Sequence, residues 1–188
     1  KIFRQLADQS DVLLENFKPG TMEKWGVDPA SLEKTNAKLI YARISGYGQT
    51  GPYAKKAGFA SVCEAFGGFR YVNGFPGEKP VRPNLSIGDT LAGIHAAMGV
   101  LLALIQREKD GKGQIVDVAI FEAIFNLLEA VIPEYSGSGL IRQPSGSTIT
   151  GIAPTNTYIC QDGKYIVIGA NTDSMFKRLA EAMGKPEI

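Results

Sequence analysis

Two short runs, the apolar Val12-Leu13-Leu14 and residues 39–44, rich in β-branched and aromatic residues, alternate along the chain with stretches of helical periodicity. The runs read as strands buried on both faces of a parallel sheet. The periodic stretches predict helices over residues 2–9, 21–25 and 59–66, the last stopped by Gly67-Gly68. Asp28-Pro29 marks a further helix start, with Asp at the cap and Pro at the first helical position. Thr21 is a candidate cap for the short helix before it. Strand, loop, helix, strand is the grammar of an α/β layer, in which ligands gather beyond the C-terminal ends of the strands. That rule places the loops 16–20 and 45–53 on the ligand side.

The longest predicted helix follows Ile87-Gly88-Asp89-Thr90-Leu91-Ala92-Gly93 and runs on through the apolar residues 94–105. Asp89 stands at its start. Asp is a preferred N-cap residue, and the positive end of the helix dipole favours a negative charge there. Position alone leaves two readings open, a structural cap and an anionic nucleophile. Ala92, Gly93, Ala96, Ala97, Gly99 and Ala103 recur at spacings of three and four, a thin face for close backbone approach. Ile94, Leu101, Leu102 and Ile105 are expected to fill the core. Residues 115–118 predict a strand and 120–131 another apolar helix. Composition shifts near Pro133 towards Gly, Ser, Thr and Pro. A hairpin is then predicted over 157–168 around Asp162-Gly163, followed by a helix capped by Asp173 or Ser174. The expected division is a partial large Rossmann-like domain at 1–135, a linker at 136–150 and the start of a smaller α+β domain at 151–188.

Composition changes this picture little. The chain has 188 residues, 44% hydrophobic and 21% charged, the profile of an ordinary globular protein. A net charge of +1 gives no electrostatic reason to expect nucleic acid or an acidic membrane surface. The apolar run 94–105 is too short to span a bilayer. Cys63 and Cys160 form neither a disulfide framework nor a zinc site, so a reducing, cytoplasmic setting is expected. The chain opens inside one amphipathic pattern and closes just after another, Met175 to Met183, so a piece of a longer protein is expected.

Few motifs offer chemistry. Gly46-Tyr47-Gly48-Gln49-Thr50-Gly51 matches the G-x-G-x-x-G dinucleotide pattern, but Pro52 and a helix-poor, lysine-bearing stretch follow it. A glycine loop that lets a ligand approach the backbone is the better reading. His95 lies inside the long helix, no G-x-S-x-G elbow exists, and no metal-ligand spacing or Walker motif is present. His95 is read as a helix residue with a satisfied ring. Asp89 remains the candidate.

Four ordered stretches carry a resemblance. Asp11-Val12-Leu13-Leu14-Glu15-Asn16-Phe17-Lys18-Pro19-Gly20, Ser45-Gly46-Tyr47-Gly48-Gln49-Thr50-Gly51-Pro52-Tyr53, Gly88-Asp89 and Arg107-Glu108-Lys109-Asp110-Gly111-Lys112-Gly113-Gln114 resemble the class III CoA-transferases. That group includes formyl-CoA transferase and carnitine CoA-transferase. The resemblance covers essentially the whole chain, as the middle of a protein roughly twice as long. It implies an α/β Rossmann-like fold, an intertwined homodimer, an acyl-CoA and a small carboxylic acid as substrates, and no permanently bound cofactor. Neither nucleic acid nor membrane is an implied partner. Asp89 matches the catalytic aspartate; Asn16, Phe17 and Lys24 match coenzyme contacts, and Gly46 and Gly48 would lie beside the acyl portion. The family also contains α-methylacyl-CoA racemases, whose histidine falls where this chain has Phe59, a residue that cannot move a proton. Transferases often carry Tyr and an acid at positions 59 and 60, and here both polar groups are missing. Residues 145–154 lack the glycine-rich loop of formyl-CoA transferase, which leaves oxalate poorly supported as acceptor. A non-catalytic CoA-binding or dimerisation module, with Asp89 only a cap, is the reading from another class.

Overall fold

The computed structural model describes residues 1–188. The expected α/β class is found. Three strands, β1 (Val12–Glu15), β2 (Ile40–Ser45) and β3 (Ile115–Ala119), form a parallel sheet in that order. Glu15 lies opposite Arg43, and Arg43 opposite Asp117. Helices α1 (Ile2–Asp8), α2 (Thr21–Lys24) and α3 (Pro29–Glu33) cover one face around Ala7, Met22, Val27, Leu32 and Tyr41. On the other face α4 (Ala60–Phe66), α6 (Ile87–Asp110) and α7 (Ile120–Asn126) pack around Cys63, Ala92, Ala96, Val118 and Ala123. A short α5 (Phe69–Val72) follows α4. A sheet covered on both faces explains why its strands are mostly apolar, with Arg43 in β2 and Asp117 in β3 as the charged interruptions.

Local signals account for several element ends. Asp28 caps α3, its carboxylate accepting the Ser31 N–H at 3.1 Å. The caps of α2 and α9 differ from expectation. Gly20, left-handed at φ +88°, is the N-cap of α2, so Thr21 is its first helical residue. In α9 (Asp173–Ala182) the cap is Thr172, whose hydroxyl accepts the Met175 N–H, so neither Asp173 nor Ser174 fills that role. The predicted 120–131 helix is broken. It ends at Asn126, Glu129 takes a positive φ of 53°, and α8 (Val131–Ser138) begins beyond it.

The largest departure concerns α6. Ala92, Ala96, Gly99 and Ala103, not its large residues, line its packed face, while the small residues Gly93 and Ala97 are exposed. Ala92, Ala96 and Ala103 are buried, while Ile94, Met98, Leu101, Leu102 and Ile105 are each between 50% and 65% exposed. Gly99 shows why: a Cβ there would stand 2.6 Å from Val116 Cγ1. The helix lies so close to β3 that only small side chains fit between. With 24 residues, α6 is also long and apolar enough, by length and composition, to cross a membrane, which the shorter run 94–105 did not suggest. Its alanine face is instead packed against β2, β3, α4 and α7.

The chain divides into two compact units. One comprises Lys1–Phe69 with Pro83–Ala130, the sheet and its two helical layers. The other comprises Arg70–Arg82 with Val131–Ile188. It holds α8, the antiparallel hairpin of β4 (Thr155–Ile159) and β5 (Tyr165–Gly169), and α9. Within this second unit the backbone of Gly146 donates to Gly74 O at 2.8 Å, tying residues 70–82 to the later segment. The stretch 136–150, low in apolar residues, lies inside this unit.

Candidate active site

Asp89, the loop 16–24 and the glycine loop 46–51 all belong to the first unit, at the C-terminal edge of its sheet. The helix α6 descends from that edge antiparallel to the strands. At its far end Arg107 bonds to Asp11 and to Lys38 O, the residues that precede β1 and β2.

Asp89 is not the cap. Ser86 occupies the N-cap position, and Asp89 is the third helical residue, in the first turn, with its side chain exposed. Its place is set by Gly88, which is buried where α4 and α7 begin. A Cβ on Gly88 would come within 3.1 Å of Ile120 and 3.2 Å of Ala60. From below, the fully buried Glu64 accepts the Gly88 N–H at 3.4 Å, satisfying one of the amides that a helix start leaves open. Cys63 is fully buried beside it and donates to Gly46 O at 3.3 Å. Burial pushes the Cys63 thiol up to about 11, and the negative charges of Asp89 and Glu64 add to the effect. With so little thiolate, roughly one thiol in a thousand at pH 8, Cys63 is expected to resist iodoacetamide in the native protein. The half-buried Cys160 is expected to react, and peptide mass spectrometry reads both.

The glycine loop owes its pattern to two different demands. Gly46 crosses Gly58 so closely that a Cβ would stand 2.6 Å from Gly58 Cα. Gly48 and Gly51 instead adopt left-handed backbone, at φ +83° and +90°. Asp117 of β3 accepts the Gln49 N–H at 2.9 Å and so anchors the loop to the sheet. The next helix starts only at Ala60, so no helix N-terminus follows the motif to hold a pyrophosphate.

Opposite lies the loop after β1. Asn16, Phe17 and Lys24 are exposed, and the Phe17 ring meets Trp25 edge-on with centroids 5.1 Å apart. Between this loop and the glycine loop is a cleft of about 600 Å³. Pro19, Gly20, Glu23 and Arg43 line one side of it, and Gln49 to Pro52 with Lys55 the other. Asp89 is not among the residues lining this cleft. His95 behaves as a structural residue, its Nδ1 bonded to Leu91 O at 2.8 Å and its Nε2 to Asn126 at 3.3 Å.

Sequence reasoning missed the charged floor of the cleft. Arg43 Nε donates to Glu15 Oε1 at 2.6 Å and its Nη1 to Glu23 Oε1 at 2.8 Å. Burial works against the Arg43 charge, but the bonds to Glu23 and Glu15 outweigh it, and the guanidinium is held protonated more firmly than usual. The bond from Arg43 in turn holds the Glu23 carboxyl below its ordinary range. An Arg within an apolar strand, and a Glu ending another, were the available signal.

The family model of CoA-transferase family III matches residues 1–188. The chain belongs to CoA-transferase family III. It is 49% identical over 187 residues to a succinyl-CoA--D-citramalate CoA-transferase of Chloroflexus aurantiacus, covering all of this chain and 46% of that protein. It is 32% identical over 183 residues to a succinate--glutarate CoA-transferase of Agrobacterium fabrum, covering 97% of this chain and 46% of that protein. Among solved structures it is similar to a CAIB/BAIF family protein from Brucella suis, with a TM-score of 0.86 at 34% identity. That match covers 99% of this family III chain and 49% of the Brucella protein. The family III chain thus spans about half the length of the curated relatives it matches.

Proposed function

We propose that the protein carrying this chain transfers CoA from an acyl-CoA donor to a carboxylic acid through a covalent intermediate on Asp89. The observation that carries the reading is an exposed carboxylate in the first turn of the central helix of a family III chain, free of the capping role. The Asp89 carboxylate attacks the donor thioester carbonyl and expels CoA thiolate, leaving a mixed anhydride. The thiolate attacks the aspartyl carbonyl of that anhydride, releasing the donor acid and forming an aspartyl-CoA thioester. The acceptor carboxylate attacks this thioester, giving a second anhydride and CoA thiolate. Attack of the thiolate on the acceptor's acyl carbonyl forms the new acyl-CoA and regenerates Asp89.

Asn16, Phe17 and Lys24 hold the coenzyme in this reading, with Phe17 and Trp25 as an apolar platform and Lys24 as a phosphate partner. Gly46 and Gly48 leave space beside the acyl group. The names of the relatives, succinyl-CoA with citramalate, malate or glutarate, support a succinyl donor and a dicarboxylate acceptor. The racemase alternative lacks its base, since position 59 is a Phe that is 78% exposed. The outward aliphatic face of α6 supports assembly as a homodimer, because solvated apolar surface of this extent favours a partner. The test is trapping. Full-length protein incubated with succinyl-CoA and then hydroxylamine is expected to gain the mass of a hydroxamate at Asp89. An unmodified Asp89 together with α-proton exchange in deuterated water would overturn the reading.

A further inference from the structure

Arg43 is nine-tenths buried, yet its bonds leave the core in two directions. Through Nε it holds Glu15, the last residue of β1; through Nη1 and Nη2 it holds Glu23, in α2. Glu15 is itself buried, and its second oxygen accepts the Phe17 N–H at 2.8 Å. This bond turns the chain immediately after the strand. One guanidinium therefore fixes both ends of the segment 15–23, which carries Asn16 and Phe17 and is followed directly by Lys24. Phe17 and Trp25 are 46% and 60% exposed, so their position is set by these polar bonds more than by core packing.

We propose that the Glu15–Arg43–Glu23 triad is the positioning device of the coenzyme loop, presenting Asn16, Phe17 and Lys24 to the acyl-CoA. The triad acts through those residues and takes no part in the chemistry at Asp89. Removing Arg43 would strand a buried Glu15 carboxylate and endanger the fold. Glu23, whose side chain is 46% exposed, is the place to cut the triad without that penalty.

The proposal rests on the coenzyme reading of this loop, and the experiment separates the two. Steady-state kinetics with succinyl-CoA are measured for full-length wild type, Glu23→Ala, Glu23→Gln and Phe17→Ala, with melting temperature as the control. In Glu23→Ala the KM for succinyl-CoA is expected to rise roughly tenfold with kcat unchanged, the signature of lost binding shared by ground and transition states. Glu23→Gln keeps an oxygen for Arg43 but not the ion pair, so its KM is expected to rise by a smaller factor, roughly threefold, and that rise decides the matter if the Ala variant melts early. A KM that stays put or falls in both Glu23 variants, or a loss confined to kcat, overturns the proposal while Phe17→Ala still raises KM. If Phe17→Ala also leaves KM unchanged, the coenzyme reading of the loop has failed and the proposal falls with it.

Discussion

Asp89→Asn is expected to lower CoA transfer by the full-length protein by roughly three orders of magnitude or more. An amide of nearly the same shape cannot attack a thioester, and no other carboxylate in the first turn of α6 replaces it. The substitution is informative because the side chain is exposed and stands in the first turn of α6, with Ser86 and not Asp89 at the N-cap position. The melting temperature is therefore expected to fall by no more than the loss of one exposed first-turn charge accounts for, under about 1 kcal/mol. Loss of turnover and loss of the hydroxylamine-trapped adduct should appear together. A variant that still turns over at a comparable rate would place the nucleophile elsewhere.

The second large effect concerns the fold. Gly113→Ala is expected to destabilise the protein by on the order of 3 kcal/mol or more, measured as a lowered urea midpoint. A Cβ at Gly113 would stand 2.0 Å from Leu39 O and 2.6 Å from the Leu39 carbonyl carbon. The clash falls where β2 and β3 begin to pair. The Gly113 N–H donates to Ala37 O and the Tyr41 N–H to Gln114 O, both at 2.8 Å. Backbone on backbone has no rotamer by which to escape, so the strands must part. An unchanged midpoint would mean that the start of β2 yields to the added methyl at little cost.

The sheet and its helices were legible because their signals are local: an apolar run for β1, β-branched and aromatic residues for β2, Asp-Pro before α3, Asp-Gly within the hairpin. The facing of α6 was not. Alanine and leucine both count as apolar in a periodicity, and only the narrow gap between Gly99 and Val116 decides which of them goes inside. Asp89 could be picked out by position, but its role could not, since a cap and a nucleophile ask for the same residue at a helix start. The coenzyme roles proposed for Asn16, Phe17 and Lys24 rest on resemblance alone, because an exposed Asn, Phe or Lys carries no chemical signal by itself. The Arg43 triad was hidden by distance along the chain, its partners being 28 and 20 residues away.

The bond network at Arg107 has a mechanical meaning. It fastens α6 to Asp11 and Lys38 at the edge of the sheet opposite Asp89. The two residues are separated by about 27 Å of helix at 1.5 Å per residue. With the head of α6 seated by Gly88 against Ala60 and Ile120, this second fixed point at its foot resists tilting, and a tilt of about 2° would move Asp89 by about 1 Å over that length. Misplacement on that scale costs roughly a hundredfold in rate. The alignment of the proposed nucleophile thus depends on bonds made at the opposite end of α6.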